Sequence, residues 1–259
     1  MPHKQLKNKP LVEVIFEIRW ELVQTSPGYE HDPHYKLLLG RFYDRVSRDY
    51  PEHEQLPVAS VPDEIVGHVV QHRFRVGKGS WPLFQIGPGV VTANSTADYT
   101  WEDFSRRAVC AVKTLFDAHP KPSELKVIQL ILRYVDAVEF DYSSDNVYSF
   151  LQDKLKIGLS LPQNLFNGTG VEQRPKVFSW HSAFSCNKPT GVVNIKFATG
   201  QKKENTPAIV WETTLQSSAS DVPILPDGIE EWLDAAHEVT SDWFFMLIEG
   251  ELEERFDSA

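Results

Sequence analysis

Two stretches of this chain read as copies of one another. Val14-Ile15-Phe16-Glu17-Ile18-Arg19-Trp20 and Ile128-Gln129-Leu130-Ile131-Leu132-Arg133-Tyr134 each run through apolar residues into an arginine and an aromatic ring. In the first, Val12, Val14, Phe16, Ile18, Trp20 and Leu22 alternate with Glu13, Ile15, Glu17, Arg19 and Glu21. A period of two with one apolar and one mostly charged face is a strand half-covered by a core. The spacing between the copies is even. Arg19 and Arg133 therefore share one facing of their strands, and Trp20 and Tyr134 share the other.

The segments downstream of the two copies are also alike. After the first, Asp32-Pro33 reads as a helix cap with proline at the first helical position. Tyr35, Leu38, Leu39, Phe42 and Val46 then form one helical stripe, which Pro51 ends. Residues 51–64 read as a loop. Strand-like stretches come next at Val66–Val76, Trp81–Ile86 and Val90–Ala93. Thr100-Trp101-Glu102-Asp103 opens a helix, with Thr100 as cap and acids in the first turn, where the helix dipole favours them.

The second half repeats the course. Leu125–Phe140 reads as a long strand, and Ser144 or Asp145 caps a helix that Gly158 stops. Strands come after it at Val177–Ser185, Val192–Ala198 and Ile209–Leu215. Asp227 caps a last helix with Ile229, Trp232, Leu233, Ala236, Val239, Trp243, Met246 and Leu247 on one face. The expected fold is α+β. Two strand–helix–strands–helix halves, residues 1–120 and 121–259, are related by a pseudo-twofold axis within one compact unit. Each half is an antiparallel sheet with helices on one face, a topology like that of the TATA-binding protein. Topology alone carries no function.

The chain has 259 residues and a net charge of −10, with 41% hydrophobic residues, enough for a sizeable core. Much of the acidic excess lies in residues 221–259, where twelve acidic residues face only Arg255. A chain with this balance and no lysine–arginine cluster is a poor nonspecific nucleic-acid binder, because such binding depends on neutralising phosphates. No apolar run is long enough to span a membrane, and the polar start offers no secretion signal, so the cytoplasm is the expected location. Cys110 and Cys186 sit among apolar neighbours and read as buried free thiols.

Four segments together resemble a sporadically distributed family of prokaryotic proteins, similar in length to this chain, with no assigned function. They are Leu11–Arg19, then Leu83–Val91 with Tyr99–Phe104 after it, then Leu132–Val138, and finally Ala235-Ala236-His237. The family's usual asparagine after the Arg-Tyr-hydrophobic unit is Asp136 here. The resemblance brings no catalytic residues. Its patchy distribution implies an accessory or antidote component of a mobile or defence locus.

The candidate chemistry is sparse. Arg19 and Arg133 are either a pair that grips a small anionic group through their guanidinium forks, or members of local ion pairs with Glu17, Glu21 and neighbouring strands. Trp81, Trp180 and Trp211 are candidates for exposed aromatic anchors to a partner. His237, mid-helix beside two alanines, is either a packed histidine hydrogen-bonded across an interface or a polar group in a cleft. His31-Asp32-Pro33-His34 fits no zinc spacing, and His68 with His72 supplies two ligands and no third. Gly87-Pro88-Gly89 lacks the lysine of a phosphate loop and reads as a tight bend. No metal or cofactor is expected.

These features read as a non-catalytic module for a protein partner, of basic character against the acidic last helix, or for a small anionic ligand, with a homodimer left open. The alternative is a hydrolase or nucleotide-processing enzyme with its site in the cleft between the halves. An enzyme would gather several titratable groups into one pocket, some with shifted pKa.

Overall fold

The alternating run at the start of the chain forms strand β1 (Leu11–Trp20), which lies inside a nine-stranded antiparallel sheet. The computed structural model describes residues 6–96, 98–202 and 205–258, the Glu64 side chain excepted. In chain order β1 is followed by β2 (Val23–Ser26), β3 (Tyr29–His31), α1 (Tyr35–Val46), β4 (Glu52–Gln55), β5 (His72–Arg75), β6 (Leu83–Gly87), β7 (Val90–Ser95) and α2 (Trp101–Ala118). Then come β8 (Val127–Glu139), α3 (Val147–Leu155), β9 (Ser179–Asn187), β10 (Thr190–Gln201), β11 (Pro207–Ser218), α4 (Ile229–Ile248) and α5 (Glu251–Asp257). The large sheet has the order β4-β5-β6-β7-β1-β8-β11-β10-β9, and β2 and β3 form a separate hairpin. The fold is therefore α+β, with one large antiparallel sheet and five α-helices among the described residues.

The two arginine–aromatic segments are neighbours. Strand β1 pairs with β8 so that Phe16 faces Leu132, Glu17 faces Ile131 and Ile18 faces Leu130. The alternation predicted from sequence decides which side is buried. Val14, Phe16, Ile18, Leu130 and Leu132 are fully buried, and they pack with Leu38 and Phe42 of α1, Phe104 and Leu115 of α2, and Trp232 and Leu233 of α4. The Trp232 ring meets Phe16 edge-on, with centroids 6.2 Å apart. On the other side of β1, Glu13, Ile15, Glu17 and Arg19 stay half-exposed. A second core joins Phe197, Ile209 and Trp211 to Leu151 and Leu155 of α3, Ile248 of α4 and Leu252 and Phe256 of α5.

Thr100 caps α2 as expected, its side chain accepting from the Asp103 N–H. Several expectations need correction. Residues 51–64 contain β4, which pairs along β5. The stretch 66–76 is a strand only over His72–Arg75. His68 sits at φ 58°, and a ring nitrogen of its imidazole lies 2.9 Å from the Trp20 carbonyl, so the backbone turns out of the strand there. His68 and His72 thus do not share a strand face. Asn146, rather than Ser144 or Asp145, caps α3 by accepting from the N–H groups of Tyr148 and Ser149. Lys156 in the left-handed conformation, rather than Gly158, ends it.

Two further corrections concern burial. Cys110 lies on the outer side of α2 and is exposed, while Cys186 is half-buried. Met246 is 66% exposed and sits off the packed face of α4. The helix expected from Asp32-Pro33 begins only at Tyr35, because Asp32 turns inward. Its carboxylate accepts from the indole N–H of Trp20 at 2.9 Å, the N–H of His34 at 2.9 Å and the N–H of Gly89 at 3.3 Å. No helix among the described residues is long and apolar enough to cross a membrane.

Candidate functional site

The facing of β8 that holds Leu130 and Leu132 in the core continues to Tyr134 and Asp136. A carboxyl at a core-facing position needs a polar neighbourhood or must stay protonated. What it meets is a cavity of about 100 Å³. Strands β8 and β11 supply the floor through Tyr134, Asp136 and Thr213. The N-terminal segment at Lys9–Leu11 and the start of α2 at Tyr99–Glu102 form two walls. The middle of α4 closes the third, through His237, Thr240, Ser241, Phe244 and Phe245. A cavity of this size holds a few solvent molecules or one small organic group.

The N-terminal wall arises from a strand irregularity. The β1–β8 register shifts between Leu11 and Glu13, so Leu11 lies opposite Asp136, and the Ala137 N–H donates to the Pro10 carbonyl at 2.9 Å. A bulge of this kind bends a strand end and redirects its side chains. The Lys9 ammonium donates to the Tyr99 carbonyl and stands over the Tyr99 ring at 5.9 Å.

Three polar side chains form a hydrogen-bonded row along the cavity. The Tyr99 and Tyr134 hydroxyls lie 2.9 Å apart, and the Tyr134 hydroxyl lies 2.9 Å from Nδ1 of His237. Trp101 stacks on the His237 ring at 3.9 Å between centroids, with planes 12° apart. Burial holds both tyrosine hydroxyls well above their ordinary range. For Tyr134 the neighbouring Tyr99 adds to that effect, whereas for Tyr99 the hydrogen bond to Tyr134 opposes it. Both phenols are therefore neutral at physiological pH.

Asp136 is 3% exposed, and no described residue donates a hydrogen bond to its carboxyl. Burial alone pushes its pKa up to about 8, so at neutral pH it is mostly the uncharged acid. Thr213, opposite Tyr134 across the strand pair, is 2% exposed, and its hydroxyl has no hydrogen-bond partner among the described residues. Buried polar groups are nearly always paired, so two such groups beside one cavity mark a place shaped for something else.

The residues singled out from sequence fall in different places. His237 is in the cavity wall, with Nδ1 2.9 Å from the Tyr134 hydroxyl. Arg19 and Arg133 lie on the opposite side of the sheet. Arg19 pairs with Glu17, while burial pushes the Glu13 carboxyl up against the opposing pull of the Asn94 hydrogen bond and the nearby Arg73 and Arg133. Arg19 faces Gln129, four residues before Arg133 on β8, so the two guanidinium stems are about 14 Å apart along the strands. They do not converge on one small anion. Trp81 is 38% exposed beside Arg75, whose guanidinium stands over its ring at 5.6 Å. Trp180 is half-buried against Phe197, with ring centroids 5.9 Å apart.

Trp211 requires correction. It is fully buried between Phe197 and Phe244 and offers no surface anchor, because it occupies a core-facing position of β11. Sequence reasoning misses Tyr99, Tyr134, Asp136 and Thr213 as site residues. The available signal is Asp136 itself, an acid in phase with Leu130, Leu132 and Tyr134.

No protein-family model matches this chain, and no curated protein is significantly similar to it.

Proposed function

We propose that this chain is a non-catalytic module that binds a small molecule in the cavity between the N-terminal segment, α2 and α4. The observation that carries the reading is the Asp136 carboxyl, buried at that cavity with no donor among the described residues. Ligand sites are concave and mostly apolar, with a few placed polar groups. Here the rings of Tyr99, Trp101, Phe244 and Phe245 supply the apolar walls, and Asp136, Tyr134 and Thr213 the polar floor.

A duplicated origin fits this site. Aligning the two arginine–aromatic segments matches Glu17 with Ile131, and these two residues face each other across the β1–β8 pair. From that pair the order runs outward as β7-β6-β5 on one side and β11-β10-β9 on the other. Both features support a pseudo-twofold between two halves that share one sheet, similar in topology to the TATA-binding protein. On this reading Trp20 is the mate of Tyr134. Trp20 is tied structurally to Asp32, while Tyr134 serves the cavity, so the copies have taken different work. The resemblance to the sporadically distributed prokaryotic family supports a cytoplasmic accessory role in a mobile or defence locus. The outer acids of α4, including Glu231, Asp234 and Glu238, are exposed and are the surface a basic protein partner would meet.

One observation favours an enzyme instead. A carboxyl with a pKa near neutrality beside a Tyr–Tyr–His row is equipment for general acid–base chemistry. Among the described residues, however, a single carboxyl lies on the cavity floor, and the row is already engaged internally. The binding reading is therefore preferred.

A crystallographic fragment screen on the full chain tests it. Small aromatic and aliphatic fragments are expected in the cavity beside Asp136, and Ser241→Trp at its rim is expected to exclude them. Fragments scattered over the surface, with this cavity empty throughout, would sink the proposal.

A further inference from the structure

We propose that the ligand of this cavity is a compact organic cation, an amine or amidine whose charged nitrogen pairs with the carboxyl of Asp136. The inference rests on the ligand-binding reading and names the ligand's chemical class.

Asp136 is the acid at the cavity floor, and the described residues give its carboxyl neither an N–H nor a cation. A buried carboxyl in that condition stays protonated until a partner that favours its charged form reaches it through the cavity. The walls fit a cation as well. Aromatic faces carry negative charge at their centres and attract ammonium or guanidinium groups within about 6 Å. Tyr99, Trp101, Tyr134, Phe244 and Phe245 bring five aromatic rings to one small volume. Lys9 already demonstrates the effect at the rim, where its ammonium stands over Tyr99. Among the described residues no arginine lines the cavity and its one lining lysine, Lys9, donates to the Tyr99 carbonyl, so an anionic ligand would meet the acid with no counter-charge at the floor.

Other titratable groups face this volume from each surrounding element. They are Lys9 on the N-terminal segment, Tyr99 and Glu102 at the start of α2, Tyr134 on β8 and His237 on α4. Both phenols stay neutral, held there chiefly by burial. Asp136, the acid on the floor, is the group whose charge changes when a cation pairs with it. The step balances simply. The O–H bond of the Asp136 acid breaks, its proton leaves to solvent, and the resulting carboxylate accepts N–H bonds from the ligand cation. Cation binding releases a proton, whereas a neutral ligand that hydrogen-bonds to the intact acid releases none.

Isothermal titration calorimetry on the full chain, with benzamidine, propylammonium, benzamide and benzoate, decides the matter. The two cations are expected to bind. Their heats should vary with the ionisation enthalpy of the buffer, because a proton is released. With the Asp136 pKa at about 8, benzamidine affinity should rise about tenfold between pH 7 and pH 9. Asp136→Asn keeps the shape and removes the charge, so it should abolish cation binding while leaving the melting transition cooperative. Benzamide binding as tightly as benzamidine, with no proton released, would overturn the cation class and leave the cavity standing as a ligand site. Benzoate binding in preference to both cations would overturn it too. Failure of both cations would also overturn it, and occupancy of the cavity by other fragments would then show that the broader reading survives. Cation binding that persists in Asp136→Asn would place the cation elsewhere and defeat the proposal.

Discussion

Trp101 lies flat on His237, with ring centroids 3.9 Å apart and planes within 12° of parallel. This contact ties the first residue of α2 to the middle of α4. The same imidazole meets the Tyr134 hydroxyl on β8, so one histidine joins two helices to the sheet. The cavity of Asp136 lies beside that junction. The helices are held together by aromatic and polar contacts at one level, and Asp136 lies on the neighbouring step of the strand.

Removing the indole should be costly. Trp101 is 9% exposed, and large-to-small changes at such sites lose both apolar burial and packing. Trp101→Ala is expected to destabilise the chain by about 3 kcal/mol in urea unfolding. Trp101→Phe keeps a stacked ring and should lose about 1 kcal/mol. Equal losses in the two variants would show that the ring contact with His237 is not what holds the helices.

The Tyr134 hydroxyl sits between the Tyr99 hydroxyl and the His237 imidazole, 2.9 Å from each. Tyr134→Phe keeps the ring and deletes the link. The expected loss is about 1–2 kcal/mol, because it also takes a partner from two buried polar neighbours. Tyr99→Phe combined with Tyr134→Phe should cost less than the two single changes summed, since they share one hydrogen bond. Simple additivity in a double-mutant cycle would deny that the row acts as a unit.

Much of this fold can be read from the chain, and the reasons are local. Strand β1 is legible because its period-two pattern puts Glu13, Glu17 and Arg19 against a row of apolar residues. The start of α2 is legible because Thr100 accepts from the Asp103 N–H and the acids in the first turn suit the helix dipole. Asp32 is legible as a helix cap and not as an inward anchor, because its partners Trp20 and Gly89 are distant in sequence. The cavity is hidden for the same reason. Tyr99, Tyr134 and His237 meet only when α2, β8 and α4 are assembled, and no spacing in the chain encodes that meeting. Trp211 misleads because tryptophan composition says nothing of facing, while its phase with Ile209 and Leu215 places it in the core.

Asp32 is expected to matter more for folding than its loop position suggests. Its carboxylate accepts from Trp20, His34 and Gly89, and so joins the end of β1, the entry to α1 and the β6–β7 turn. Asp32→Ala leaves the buried indole N–H of Trp20 without an acceptor. A loss of about 2–3 kcal/mol is expected in guanidinium unfolding. Asp32→Asn keeps an acceptor oxygen and should lose roughly half as much. A change below about 0.5 kcal/mol for the alanine variant would mean that this junction is held by packing alone.

The pH dependence of stability carries the clearest mark of the buried acid. Burial pushes the Asp136 pKa up to about 8, against an ordinary value near 4 for an unfolded chain. Between these limits the unfolded state has lost the proton and the folded state keeps it, so folding takes up a proton at this site. By linkage, the contribution is fully present below about pH 4, falls as pH rises towards 8, and is constant above. Asp136→Asn has the same shape and no proton to lose. The variant and the parent should lie within about 1 kcal/mol at pH 4.5, and the variant should be the more stable by several kcal/mol at pH 8.5. Other carboxylates titrate equally in both chains, so the difference between their urea curves isolates this residue. Curves that stay parallel across this range would show that Asp136 is ionised in the folded protein, with a cation from the chain already beside it.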